Sequence, residues 1–536
     1  MYSLAELAKT AQQNFASEIV AATVNNEIRD LQTAVTEPAN IDFIELNSTN
    51  GWKIYKRSVQ FLLYAAVHKL YPEAEVIAKF TANKGLFAEI NLLKEPLNEK
   101  SVAKIEEQMR KFIAADLPII KETLPREDAV KLFKDSKQIE KANLIAALKQ
   151  SEVSIYHLGD FYDYLYGAML GQTKSLAKFA LDFEPPGLLL RTPDMGTKGK
   201  VRARIPQPKL SHILSESKEW AAALKCNYVP DLNRINRQGY IGDVIRISEA
   251  LQEKRIARIA DFITSNKHLR LILIAGPSSS GKTSFAQRLK VQLRVNRLNP
   301  VSISLDDYFC NRVDTPKNER GEYDYENLHA LDTKLFNENM LDLLAGKEII
   351  LPRYNFITGM REWQTENPLV ISPSQPIIVE GIHGLNEELS RAVPRKNKYK
   401  IYVSALTQLN IDAHNRIPTT DARLIRRLVR DYQFRGAYAL KTLKQWGDVR
   451  AGEEKNIFPY QEEADVMFNS ALIYELGILK KYAEPLLEKI SPDIPEHAEA
   501  KRLLDILQYF DDIDAEDEVP NNSILREFIG KSVFFK

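Results

Sequence analysis

The residues with the clearest chemical content are Gly276-Pro277-Ser278-Ser279-Ser280-Gly281-Lys282-Thr283, followed by Ser284. They follow an apolar run, Leu271-Ile272-Leu273-Ile274-Ala275, and precede a helical pattern over 284–293. G-x-x-x-x-G-K-T between a strand and a helix is a loop whose backbone N–H groups turn inward onto phosphate oxygens. The helix N-terminus adds its positive end. In such a loop Lys282 reaches the β- and γ-phosphates and the Thr283 hydroxyl ligates Mg²⁺. The loop does not by itself separate a kinase from a nucleotide hydrolase.

Three further sets of residues bear on that choice. Asp306 and Asp307 follow a predicted strand at 301–305, with Tyr308 and Phe309 beside them. A carboxylate at a strand's carboxyl end can take the proton of an attacking hydroxyl, and flat apolar rings can wall a base or sugar. An aspartate there also serves as a helix cap. Glu380 ends another apolar strand at 377–381, placed either to bind Mg²⁺ or to cap structure. Arg423, Arg426, Arg427 and Arg430 fall on one helical face. That face is either a solvated basic stripe or a lid closing guanidinium groups over a triphosphate.

The elements that must position these residues divide the 536-residue chain into five stretches. Residues 1–50 hold short apolar pieces around an Asn25-Asn26 turn, as in a small β-rich module. Residues 51–195 alternate helical patterns (58–70, 103–115, 129–148) with a turn and short strand at 182–193. Residues 196–265 read as a connector: an exposed Gly/Lys/Arg/Pro loop, then one amphipathic helix over 242–263. Residues 266–480 alternate strands and helices, the pattern of an α/β domain with a parallel sheet. Residues 481–536 read as a charged helical tail, with a solvated acidic run at 511–518.

Composition narrows the class. Lys plus Arg number 73 against 72 Asp plus Glu, which excludes a chain-wide basic character for nucleic-acid binding. Two cysteines, Cys226 and Cys310, exclude a disulfide framework and a Cys-rich zinc site. No apolar run approaches the roughly 20 residues that span a bilayer, and the N-terminus lacks a secretory pattern. A soluble cytoplasmic protein is expected.

The segments GPSSSGKT (276–283), SLDDYF (304–309), YDYENLHALD (323–332), YNF…R (354–361), IVEGIHGL (378–385) and DARLIRRLVRDYQFRG (421–436) stand in the order of the uridine kinase/phosphoribulokinase family. The chain resembles the uridine kinase branch over about 210 residues. The resemblance implies ATP and Mg²⁺, with Asp306 as base for a nucleoside hydroxyl. It further implies Tyr325 stacking on the base, Tyr354 and Phe356 walling the pocket, and Arg361 nearby. Glu380 would lie near the metal, and Arg423 and Arg426 would face the phosphates. Departures are Gly359 where a histidine reads the pyrimidine edge, Lys441 where a glutamine stands, and Asn355 for an aspartate. The phosphotransfer parts are kept and the base-reading parts are not, so the acceptor is open.

The first 195 residues resemble a different family. VNNEIRDLQTAV (24–35) is similar to the TGS module of threonyl-tRNA synthetases. GWKIYKRSVQFLLYAAVHKLYPEAEV (51–76) and FYDYLYGAMLGQTKSL (161–176) are similar to the α+β editing domain that follows it. The four catalytic places of that domain hold Arg57, Phe61, Leu165 and Met169, so editing should be absent. The expectation is thus an α/β P-loop kinase domain behind a TGS-like module and an editing-like domain. It would phosphorylate a small nucleoside-like acceptor and work as a homo-oligomer without a membrane. The rival is an RNA- or tRNA-associated nucleotide switch with slow hydrolysis, against which the neutral charge speaks.

Overall fold

The computed structural model describes residues 2–82, 84–91, 96–318 and 321–535. In the N-terminal module, strands Ile19–Val24, Glu27–Asp30 and Ile41–Glu45 form an antiparallel sheet. Asn25 and Asn26 both adopt positive φ (51° and 61°), the geometry that matches a two-residue hairpin to strand twist. Helix α1, Thr49–Leu70, starts where the Ser48 hydroxyl accepts the Gly51 N–H at 3.0 Å. It buries Phe61, Leu62, Leu63 and Val67 against a four-stranded antiparallel sheet built from Glu75–Ala82, Gly85–Asn91, Ala180–Glu184 and Gly187–Arg191. The single helical pattern expected at 129–148 is two helices, Arg126–Asp135 and Ile139–Ala146, parted where Lys137 turns to φ 63°.

The C-terminal half is built on a parallel sheet. Its strands are β1 Leu271–Ala275, β2 Val301–Ser304, β3 Ile377–Glu380, β4 Lys398–Ser404 and β5 Val466–Asn469, in spatial order β2-β3-β1-β4-β5. β1 is buried at every residue, as a central parallel strand must be. Residues 196–265 are not a connector. They supply helices Pro208–Ala223, Val229–Arg237 and α2, Ile241–Ser265, whose apolar faces join the sheet's own cores. The C-terminal stretch is not a solvated tail either: Leu503, Ile506, Ile524, Leu525 and Phe528 are buried. In its acidic run, Glu516 pairs with Arg526 and Asp511 with Arg237.

The two halves share an interface in which one loop takes a large part, beside contacts such as Tyr164 with Tyr509 and Lys53 with Glu499. Residues 405–418 leave β4 and enter the N-terminal domain before helix α4, Thr419–Arg435. Ala78 N–H donates to the Ala413 carbonyl (2.8 Å), Asn410 donates to the Ala78 carbonyl (2.6 Å), and Asn415 donates to the Tyr164 carbonyl (2.9 Å). His414 stacks on Tyr64 with ring centroids 4.1 Å apart, and its Nδ1 lies 2.5 Å from the Asp163 carboxylate. Buried Lys141 pairs with the same carboxylate. Burial pushes the Asp163 carboxyl up, but Lys141 and then His414 outweigh it and hold it down to about 2. Among the described residues no helix is long and apolar enough to cross a membrane.

Asp163→Ala leaves buried Lys141 only the more distant Asp412, at 3.9 Å, as counter-ion and is expected to cost about 3 kcal/mol. The readout is a lower denaturant midpoint. The depressed carboxyl contributes stability above its ordinary value of 3.8, which is lost as pH falls toward about 2. A midpoint equal to wild type at neutral pH would show that the cluster holds nothing.

Candidate active site

The phosphate loop follows β1 directly and ends at helix α3, Lys282–Val295. Its shape requires glycine at two places. A Cβ on Gly276 would lie 1.9 Å from the Val403 carbonyl oxygen. Gly281 has φ 80°, and a Cβ there would meet Ile524 Cγ2 at 2.4 Å. Ser279 also sits at positive φ, 58°. Lys282 folds back on the loop, its ammonium 3.3 Å from the Pro277 carbonyl. The Thr283 hydroxyl donates to Glu380 at 3.2 Å, so the expected metal-side pair is together.

Carboxyl groups crowd around Lys282. Asp306, on a 3-10 turn at the tip of β2, opens to solvent in the cleft; the protein around it raises its pKa, against the pull of Lys282 and Arg435. Burial, countered by Lys282 and reinforced by Asp306, pushes Glu380 up to about 7. Glu326 is raised to about 7 as well, by burial first and then by Glu453, with Lys282 and Arg427 opposing. Glu326 was not singled out from the sequence, although it follows Tyr325 within the 323–332 segment. His383 is buried and held neutral, its pKa lowered to about 4 by burial.

Beyond Asp306 the structure brings four aromatic rings together. Phe309 contacts Tyr325, Tyr354 and Phe356 with ring centroids at 5.8, 5.4 and 6.1 Å. Arg361 takes a buttressing position: it donates to Asp332 (2.9 Å) and to the Phe309 carbonyl (3.1 Å), fixing the turn that carries the ring.

Arg423 and Arg426 do not face the cleft. Both are fully buried behind the loop. Arg423 donates to the Ser278 carbonyl (3.0 Å) and makes a two-pronged pair with Glu453; Arg426 donates to the Ser470 carbonyl (2.9 Å) and pairs with Glu475. A guanidinium with all its hydrogen bonds to protein oxygens is spent on holding the loop. On the same helix, Arg427 is the nearer to the cleft, donating to the Ser278 hydroxyl at 2.9 Å.

Glu527, in the C-terminal helix Arg526–Ile529, also reaches the loop. Its carboxylate accepts the Ser284 hydroxyl at 2.6 Å and the Ser284 N–H at 3.3 Å. That N–H belongs to the first turn of α3, where a nucleotide phosphate would bond. Glu527 has no counter-cation in an ion pair among the described residues.

In the N-terminal domain, Phe61, Leu165 and Met169 are buried in one apolar core. Arg57 donates to the Ala168 carbonyl at 2.6 Å and lies over the Tyr166 ring at 5.5 Å.

A glycine-tuned phosphate loop at the carboxyl end of a parallel sheet, beside an acidic and aromatic cleft, defines a P-loop kinase fold. Residues 271–474 match the Phosphoribulokinase / Uridine kinase family, and the C-terminal half carries a domain of that family. Among solved structures the chain is similar to a possible uridine kinase from Bacillus stearothermophilus. That likeness has 17% identity and a TM-score of 0.28, and covers 40% of this chain and 98% of that one. The N-terminal third distantly resembles threonine–tRNA ligases. That of Desulforamulus reducens is 32% identical over 177 residues, 33% of this chain and 28% of the relative. That of Clostridioides difficile is 30% identical over 175 residues, 32% of this chain and 27% of the relative. The chain thus spans little more than a quarter of these relatives.

Replacing Glu527 with Gln removes a negative charge from the phosphate position. ATP·Mg²⁺ should then bind about five-fold tighter by titration calorimetry, as expected for one like charge about 4 Å away in a wet cleft. An unchanged or weaker affinity would show that Glu527 does not compete with the nucleotide.

Proposed function

We propose that the C-terminal domain is an ATP-dependent kinase that transfers the γ-phosphoryl group to a hydroxyl of a nucleoside-like acceptor. One observation carries the reading: Asp306 feels the charge of Lys282 of the phosphate loop and precedes by one short turn Phe309, around which Tyr325, Tyr354 and Phe356 gather as an aromatic wall. A hydrolase has no use for such a pocket, whereas a kinase needs one to hold its acceptor with the hydroxyl next to a base.

The residues divide the work. The loop N–H groups and Lys282 hold the donor phosphates. Asp306 accepts the hydroxyl proton, and its raised pKa brings it nearer the working pH of a base. Arg427, beside the loop, faces developing negative charge. Thr283 and Glu380 offer two hard oxygens, a donor set that suits Mg²⁺, which keeps most of its shell for water and phosphate. When bound there, Mg²⁺ would neutralise charge on the transferred group. The N-terminal half supports the kinase through the 405–418 loop and carries no hydrolytic role.

ADP release with ATP·Mg²⁺ over a panel of nucleosides and polyols tests this. At least one acceptor should stimulate turnover, and Asp306→Asn should reduce it by about 10²–10⁴-fold. Since the base must be ionised, kcat/KM should fall on the acid side, with its midpoint above the ordinary aspartate value of 3.8. Hydrolysis indifferent to every acceptor and to Asp306→Asn would sink the kinase reading in favour of a nucleotide-dependent switch.

A further inference from the structure

A cavity of about 640 Å³ lies between the two halves and shares no lining residue with the kinase cleft. One wall is helix Ile139–Ala146 with its C-cap, which presents Glu140, Asn143 and Ala147. The other is helix Val229–Arg237, which presents Pro230, Arg234 and Arg237. Residues three, four and seven apart share a helix face, so each wall is one stripe of its helix. Buried Leu144, Leu148 and Tyr228 add apolar surface. The two ends of the cavity differ in charge. At one, Glu140 has no cation partner among the described residues, and the protein around it, then Glu75, Asp231 and Asp412, pushes its carboxyl up to about 7. At the other, Arg126 donates to the Leu148 carbonyl at 2.7 Å, which places it next to Lys149. Neither of these cations has a carboxylate partner among the described residues. Arg234 and Arg237 are already paired, with Asp231 and Asp511. Glu140 and Ala147 are two helical turns apart, so about 10 Å separates the two ends.

We propose that this cavity binds a nucleoside monophosphate with a guanine-type base, its phosphate held by Arg126 and Lys149 and its base edge by Glu140 and Asn143. The site lies outside the cleft and goes beyond the kinase reading. Two cations without counter-ions, one a guanidinium with N–H groups to spare, suit a phosphate. The opposite end asks for donors. A carboxyl pushed up among other acids is relieved by N–H groups that bond its ionised form. Guanine carries two adjacent N–H donors on one edge, beside a carbonyl oxygen that the Asn143 amide can meet. Adenine and cytosine set a ring acceptor next to their amine, and an acceptor facing a carboxylate is left unpaired. Leu144, Pro230 and Tyr228 give the sugar and base flat or apolar surface between the two ends.

The test is calorimetric titration of the full-length protein, with ADP·Mg²⁺ in excess to fill the phosphate loop. GMP should bind at least about tenfold tighter than guanosine, which lacks the phosphate, and than IMP, which lacks the amine, since each omits hydrogen bonds to a charged group. AMP should bind no better than IMP. Lys149→Glu should weaken GMP by about tenfold or more, and Glu140→Gln should bring GMP down to the level of IMP. Both side chains are exposed, so both variants should keep the wild-type melting curve. If GMP, IMP and guanosine bind alike, if none of them binds, or if GMP binding survives both substitutions, as it would in the acceptor pocket, the proposal fails. The kinase reading is untouched by each of these outcomes, because it rests on acceptor-stimulated ADP release.

Discussion

The site depends on two buried ion pairs behind the phosphate loop. The carbonyls of Ser278 and Ser279 point back into the protein. Arg423 and Arg426 supply the missing donors, and Glu453 and Glu475 balance their charge. Glu453 goes further, accepting the Ser278 N–H at 3.0 Å and a second guanidinium from Arg450. Taking these charges out of water is costly, and the arrangement holds only because nearly every donor finds an oxygen. Removing one partner would leave the other charge buried and free the loop to collapse.

The helix that carries both arginines is itself held from outside the kinase sheet. Asp421, in the first turn of α4, receives both terminal nitrogens of Arg502, which also pairs with Glu499; Glu499 in turn meets Lys53 of α1. The loop entering α4 is threaded among Tyr64, Tyr164 and Tyr166 of the N-terminal domain. Three structural units therefore meet at one helix end. The N-terminal domain, in which Phe61, Leu165 and Met169 are buried and Arg57 is held by a hydrogen bond, packs against the residues that lead into α4.

Much of this was legible in the residues. A run of five apolar side chains before G-x-x-x-x-G-K-T fixes a buried strand and a phosphate loop with little freedom, and Asp306, Glu380 and the aromatic positions follow from motif order. Three features escaped for identifiable reasons. β4 reads as KYKIYVS, and its lysines disguise a fully buried strand. Lys398 and Lys400 are buried because Glu387 and main-chain carbonyls receive them. The helices at 208–223 and 229–237 are rich in polar residues, and their narrow apolar faces are recognisable only against the sheet they cover. The arginines of α4 repeat at helical spacing, and periodicity reports that they share a face without telling whether the face looks into the cleft or behind it. Long-range partners such as Glu453 and Glu475 decide that, and local pattern does not record them.

The division of labour among the carboxyl groups follows from the same crowding. Asp306, Glu326 and Glu380 all feel Lys282, and one ammonium cannot keep three neighbouring acids ionised in a partly dry cleft. Glu326 and Glu380, both shifted to about 7, are the more enclosed, so near neutral pH they carry protons part of the time. Asp306, whose carboxyl is also raised by the surrounding protein against the pull of Lys282 and Arg435, is the one of the three that opens to solvent. The carboxyl groups around Lys282 gather on one side of the loop, and the buried arginine pairs hold that loop from the other.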